Sequence, residues 1–161
     1  MIYDRYNRKK AIEYAHTWAL RRNPEYYNFD GLGGDCTNFI SQCIYAGCGI
    51  MNYKRDIGWY YNSQYDRSAA WTSVEHLHRF LTTNTSNGPY ATEIPLEYAE
   101  PGDIIQLSYN GKIFGHSLFI VEVEPKILVA QHSSLNFDNR AFDTYLYQTS
   151  RLLHIEGVIS F

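Results

Sequence analysis

Apolar residues follow a helical spacing before Pro101-Gly102 and form short β-type runs after it, so helices and strands are segregated along the chain. Ala11, Tyr14, Ala15, Trp18 and Ala19 fall at i, i+3, i+4, i+7 and i+8, predicting a helix over residues 4–22. Asn23-Pro24 stops it, because the residue before a proline is pushed out of the helical region. Phe39, Ile40, Cys43 and Ile44 predict a buried helix from Cys36 to Gly47, and Thr72-Ser73-Val74-Glu75 has the form of a capping box opening a third helix through Leu81. Residues 48–70, rich in Tyr and Trp without a clear period, read as loop, as does Thr82 to Gly88. Beyond Glu100-Pro101-Gly102-Asp103, strands are predicted at 104–107, 117–123, 127–132 and 152–161, with Asn110-Gly111 as a hairpin turn. This order predicts an α+β domain whose N-terminal helices pack on a C-terminal antiparallel sheet. No repeat or Pro/Gly/Ser-rich linker divides the 161 residues, so 1–161 reads as a single domain.

A net charge of −3 gives no basic footprint, and no nucleic-acid partner is expected. No run of 18 apolar residues is present, which argues against an integral membrane segment. The charged N-terminal stretch has no apolar signal core; it reads as cytoplasmic, and action outside the cell or at the cell wall would need a leader. Three cysteines at tight spacing are not a disulfide framework and leave at least one free thiol in a monomer. Cys43 and Cys48 lack a second pair at zinc-ligand spacing, and no phosphate or dinucleotide loop occurs, so neither metal nor cofactor is expected. Aromatics make up 16% of the chain, and Trp59-Tyr60-Tyr61 with Trp71 fit either a core or a substrate groove.

Three residues suggest chemistry. Cys36 follows Gly31, Gly33 and Gly34 at a predicted helix start, where the macrodipole and unpaired N–H groups favour a thiolate and can hold an oxyanion. His116 heads one strand and His132 lies near the end of the next. A hairpin turning at Glu124 or Pro125 sets His132 opposite His116 or Leu118, an even register that projects both imidazoles from one face. One would then serve as base and the other as its orienting partner. An odd register would separate them.

Gly33-Gly34-Asp35-Cys36-Thr37-Asn38-Phe39-Ile40-Ser41-Gln42, Pro101-Gly102-Asp103-Ile104-Ile105, Gly115-His116-Ser117 and Gln131-His132-Ser133 occur in that order. With Tyr3-Asp4-Arg5 and Trp18 to Pro24, they resemble the putative amidase domain family of bacteria, within the papain-like superfamily and close to the NlpC-type cell-wall peptidases. The resemblance implies a papain-like/NlpC-type fold with Cys36 as nucleophile, His116 as general base and His132 as third polar residue, Asn136 and Asp138 standing in reserve. It also makes Asp35 a candidate for holding a substrate amine, and Tyr27 or Tyr26 a candidate for the oxyanion hole. The cell-wall enzymes typically have Asp-Cys-Ser where this chain has Asp-Cys-Thr.

The function expected is a cysteine amidase or peptidase acting on a peptide or peptidoglycan-like amide through a thioester. The alternatives are a papain-like binding domain whose activity has lapsed, motivated by the aromatic stretch Trp59 to Trp71, and an acyltransferase using the same Cys–His pair. The sequence leaves the oligomeric state open.

Overall fold

The computed structural model describes all residues, Met1–Phe161. Strand β1 (Ile2–Asp4) leads to helix α1 (Arg8–Trp18), then helix α2 (Cys36–Cys48). A small hairpin, β2 (Tyr61–Ser63) and β3 (Asp66–Arg67), precedes the short helix α3 (Ala69–Thr72) and helix α4 (Val74–Thr83). Strands β4 (Gly88–Ile94), β5 (Ile104–Ser108), β6 (Phe114–Glu122), β7 (Leu128–Gln131), β8 (Phe137–Ala141) and β9 (Thr149–Ser160) follow. The fold is α+β, with N-terminal helices against a large antiparallel sheet.

Long β9 organises the sheet. Its residues Leu152 and Leu153 pair with β4 on one edge and β5 on the other, while β1 takes its far end at Val158 to Ser160. From β5 the sheet runs on through β6 and β7 to β8. Side chains alternate across it, as a strand's two-residue period requires. Ile104, Phe119, Ala130, Leu153 and Ile155 face the helices, joining Ala11, Ala15, Phe39, Ile40, Ile44, Leu77 and Leu81 in the main core. Ile105, Leu107, Leu118, Ile120, Val129 and Leu152 face the other way and are covered by Phe142, Tyr145 and the 94–99 segment.

Several boundaries differ from the sequence expectation. The first helix begins at Arg8, capped by Asn7, whose side-chain oxygen accepts from the Lys10 N–H, because residues 2–4 pair with β9 instead. The cap of α4 is Ser73, not Thr72; its hydroxyl oxygen accepts from the His76 N–H. Residues 48–70 are not all loop, since β2, β3 and the Asn52–Trp59 bridge lie there. Strands β4 and β8 lie in segments with no predicted strand: β4 opens on Gly88-Pro89, which the sheet tolerates at a strand end.

Pro101-Gly102-Asp103 serves as a clasp. Buried Asp103 accepts from Arg8 at 2.8 Å, the Glu100 N–H at 2.9 Å and the Ile155 N–H at 3.1 Å, and meets His154 at 2.9 Å. It thereby ties the start of α1 to β9 behind the helix layer.

Candidate functional site

Cys36 is the first residue of α2. The preceding loop folds back on Phe29, whose carbonyl accepts from Leu32 and Gly34, and Gly33 and Gly34 take φ of 94° and 102° that side chains resist. Asp35 is 1% exposed. Its Oδ1 accepts from the Phe29 N–H and Asn38 Nδ2, both at 2.8 Å, locking the loop to the helix start. The N–H groups of α2's first turn have no intrahelical acceptor and lie beside the thiol.

Burial by itself would push the Cys36 thiol up. The hydrogen bond and charge of His116, the Ser117 N–H and the Thr37 hydroxyl outweigh it and hold the thiol below its ordinary value. Burial would likewise lower His116, yet Cys36 and Gln131 raise it against both that and the nearby Arg140. Cys43 and Cys48 lack such partners; burial raises both, Cys48 to about 12.

The predicted pairing of His116 with His132 is not what the sheet builds. Phe119 pairs with Ala130 and Ile120 with Val129, but Glu122 pairs with Leu128, leaving Val121 as an extra residue. That bulge changes the parity of the hairpin, so His116 and His132 project from opposite faces. Gln131 takes the place beside His116, its Oε1 3.2 Å from Nε2. Gln131 Nε2 donates to the Leu135 carbonyl at 2.9 Å and to Ser133 Oγ at 3.0 Å, which fixes the amide oxygen toward the imidazole. The Tyr145 hydroxyl donates to the same oxygen. His116 therefore carries its proton on Nε2, and Nδ1 is the nitrogen left for the Cys36 side.

His132 instead stacks on Phe39 at 4.1 Å, with Nδ1 2.9 Å from Asp35 Oδ2 and Nε2 2.7 Å from the Trp18 carbonyl. Both its ring nitrogens are therefore engaged by oxygens of the fold, one from a carboxylate and one from a backbone carbonyl. Arg22 also approaches Asp35 Oδ2, at 3.2 Å. Both Asp35 oxygens are thus engaged within the fold. Asn136 accepts from the Ser133 N–H, and Asp138 pairs with His16 of α1; neither meets His116. Tyr27 is partly exposed, its carbonyl accepting from Asn38 and its N–H donating to Tyr61. Tyr26 stacks on Trp71. Trp59 and Trp71 are fully buried with ring centroids 4.8 Å apart, so they are core and line no groove.

Residues 5–155 match the family described as "Putative amidase domain". The chain belongs to that family. It is also 36% identical over 120 residues to "Uncharacterized protein YhbB" of Bacillus subtilis (strain 168), a match covering 72% of this chain and 37% of that protein. The chain therefore spans well under half of this relative's length. No solved structure matches it.

In this amidase-domain chain a directional line of hydrogen bonds reaches the thiol from behind. Arg151 can only donate, and its Nε meets Gln106 Oε1 at 2.9 Å. The Gln106 nitrogen then donates to the Val74 carbonyl at 3.1 Å and to Ser117 Oγ at 3.2 Å. Ser117 accordingly gives its own proton to Thr37 Oγ1, 3.1 Å away, and the Thr37 hydroxyl is left to donate to Cys36 Sγ at 3.7 Å. Nothing in the spacing of Gln106, Ser117 and Thr37 announces this line, because it crosses from the sheet to the helix.

Beyond His116 lies a cleft of about 470 Å³, lined by Tyr109, Gln131, Phe137, Arg140 and Tyr145 among others. No three His, Cys, Asp or Glu side chains converge on a metal-sized point, and no helix is long and apolar enough to cross a membrane.

Proposed function

We propose that this amidase-domain chain is a cysteine-dependent amide hydrolase of papain-like architecture, with Cys36 as nucleophile, His116 as acid–base and Gln131 as the residue that orients His116. The observation that carries the reading is the fixed Gln131 amide: its oxygen takes the Nε2 side of His116 and leaves Nδ1 to serve a thiol that this same imidazole lowers.

The Cys36 thiolate attacks the amide carbon, a C–S bond forms, and the oxyanion is met by N–H groups at the start of α2. The C–N bond breaks as the protonated His116 gives its Nδ1 proton to the leaving amine. His116 then takes a proton from water, the resulting hydroxide adds to the thioester, and C–S cleavage releases the acid and regenerates the thiolate. An amine in place of water would make the same intermediate an acyl-transfer donor. Peptide amides, peptidoglycan stem peptides among them, are the substrate class proposed. Asp35 and His132 act in this scheme as positioning residues that hold the helix start.

The test is alkylation by iodoacetamide across pH, read by mass spectrometry, with turnover measured over a panel of peptide amides. Cys36 should label selectively at about pH 6.5, where an ordinary thiol is almost wholly protonated. His116→Ala should abolish that selectivity, and Cys36→Ala should lose turnover with its circular dichroism unchanged. Full activity in Cys36→Ala would discard the mechanism.

A further inference from the structure

Arg140 stands in the cleft beyond His116 with a guanidinium that has no carboxylate partner. The side chain is half-buried on β8, between the Phe137 ring at 4.4 Å and the Tyr145 ring at 3.9 Å. Thr144 takes its Nε at 3.0 Å and an Nη2 donor at 3.4 Å. These contacts fix the direction of the fork, so its ordering cost is met on folding and not on binding. The cleft lining contains no Asp or Glu, and Arg140 is its sole Lys or Arg. A planar cation held this way suits a carboxylate, which it can grip through two parallel hydrogen bonds.

We infer that Arg140 anchors a carboxylate carried by the amine-leaving half of the substrate. The inference rests on the amide-hydrolase reading for its direction: His116 must protonate the departing nitrogen, so the leaving half lies over the imidazole, and the cleft that continues from His116 contains Arg140. The electrostatics agree. The Arg140 charge reaches His116, weighing against its protonated form, and it also bears on Tyr109 across the cleft. A carboxylate docked on Arg140 would neutralise that opposition when the substrate is in place and the imidazolium is required.

The test uses two matched pairs, acetyl-Ala-Ala as the free acid with its neutral carboxamide twin for a main-chain carboxylate, and acetyl-Ala-Glu-amide with its neutral twin acetyl-Ala-Gln-amide for a side-chain carboxylate. Binding is measured calorimetrically on Cys36→Ala, so that it does not depend on turnover. Carboxylate-bearing probes should bind about tenfold or more tightly than their neutral twins. Adding Arg140→Gln should bring that ratio near one, and Arg140→Lys, which keeps charge but loses the fork, should retain part of it. Equal affinities for both twins, no binding by any probe, or a preference that survives Arg140→Gln overturns the inference. Cleavage of the same probes by the parent protein reports separately on the hydrolase reading. A carboxylate preference without Cys36-dependent cleavage sinks that reading and leaves the anion site; cleavage indifferent to carboxylate does the reverse.

Discussion

Gln131 Oε1 lies 3.2 Å from His116 Nε2, and the amide cannot turn round because its nitrogen is held by the Leu135 carbonyl. The bond favours the charged imidazole. Gln131→Leu should therefore let the imidazolium lose its proton at lower pH, moving the basic limb of the rate profile downward. Turnover should fall by about 10²-fold as the ring loses its orientation. An unchanged profile in a folded Gln131→Leu variant would remove this residue from the scheme.

Thr37 tests the line of hydrogen bonds behind the thiol. Its hydroxyl favours the thiolate and receives the Ser117 proton. Thr37→Val keeps the shape but leaves that buried proton without an acceptor, costing about 1–3 kcal/mol. The thiol should rise, so alkylation of Cys36 should shift to higher pH. Thr37→Ser retains the hydroxyl and should restore most of the parent profile. A merely structural role would change the unfolding midpoint without moving the alkylation curve.

How much of this was legible in the sequence depended on how local each determinant is. The glycines before Cys36, the apolar stripe of α2 and the β runs after Pro101 act through neighbours in the chain, and the order of helices and strands follows from them. The histidine pairing failed because one bulged residue, Val121, reverses the parity of β6 and β7, and no local residue pattern marks a bulge there. Gln131 stood inside the Gln-His-Ser segment, yet only the register shows which of the two neighbours meets His116. Arg140 and Tyr145 come from β8 and the loop after it, a polar stretch whose pairing with β7 has no periodic signal.

His116 in Cys36→Ala should change the sign of its displacement. Burial lowers it first, and Arg140 adds to that; Cys36 and Gln131 outweigh them in the parent. With Cys36 removed, Gln131 alone opposes burial, and His116 should fall from above the ordinary imidazole value to below it. In the parent the raised group stabilises the fold below the unfolded imidazole value of about 6.5, and this is lost as pH rises through the folded value. In Cys36→Ala the contribution is instead present above that range and lost as pH falls. Imidazole titration by NMR and urea unfolding at mildly acidic and mildly alkaline pH check both halves. A His116 that stays raised in Cys36→Ala would show that the thiol is not its partner.

Asp35 separates a role in holding the fold from a role in holding substrate. It is fully enclosed and meets the Phe29 N–H, Asn38, His132 and Arg22 at once. Asp35→Ala leaves the buried His132 ring facing no carboxylate and frees the loop ahead of Cys36. Removing one partner of a buried ion pair costs about 3–5 kcal/mol, so the loss should be visible in urea unfolding. Asp35→Asn keeps acceptors for Phe29 and Asn38 but not the charge opposite His132 and Arg22, and should fall between the two. A residue that held a substrate amine would behave otherwise: unfolding would be little changed, and KM would rise for substrates carrying a free amine while their acetylated twins were unaffected. Buried behind the helix start with both oxygens engaged, Asp35 is expected to lower stability in both variants and to show no dependence on the substrate's amine.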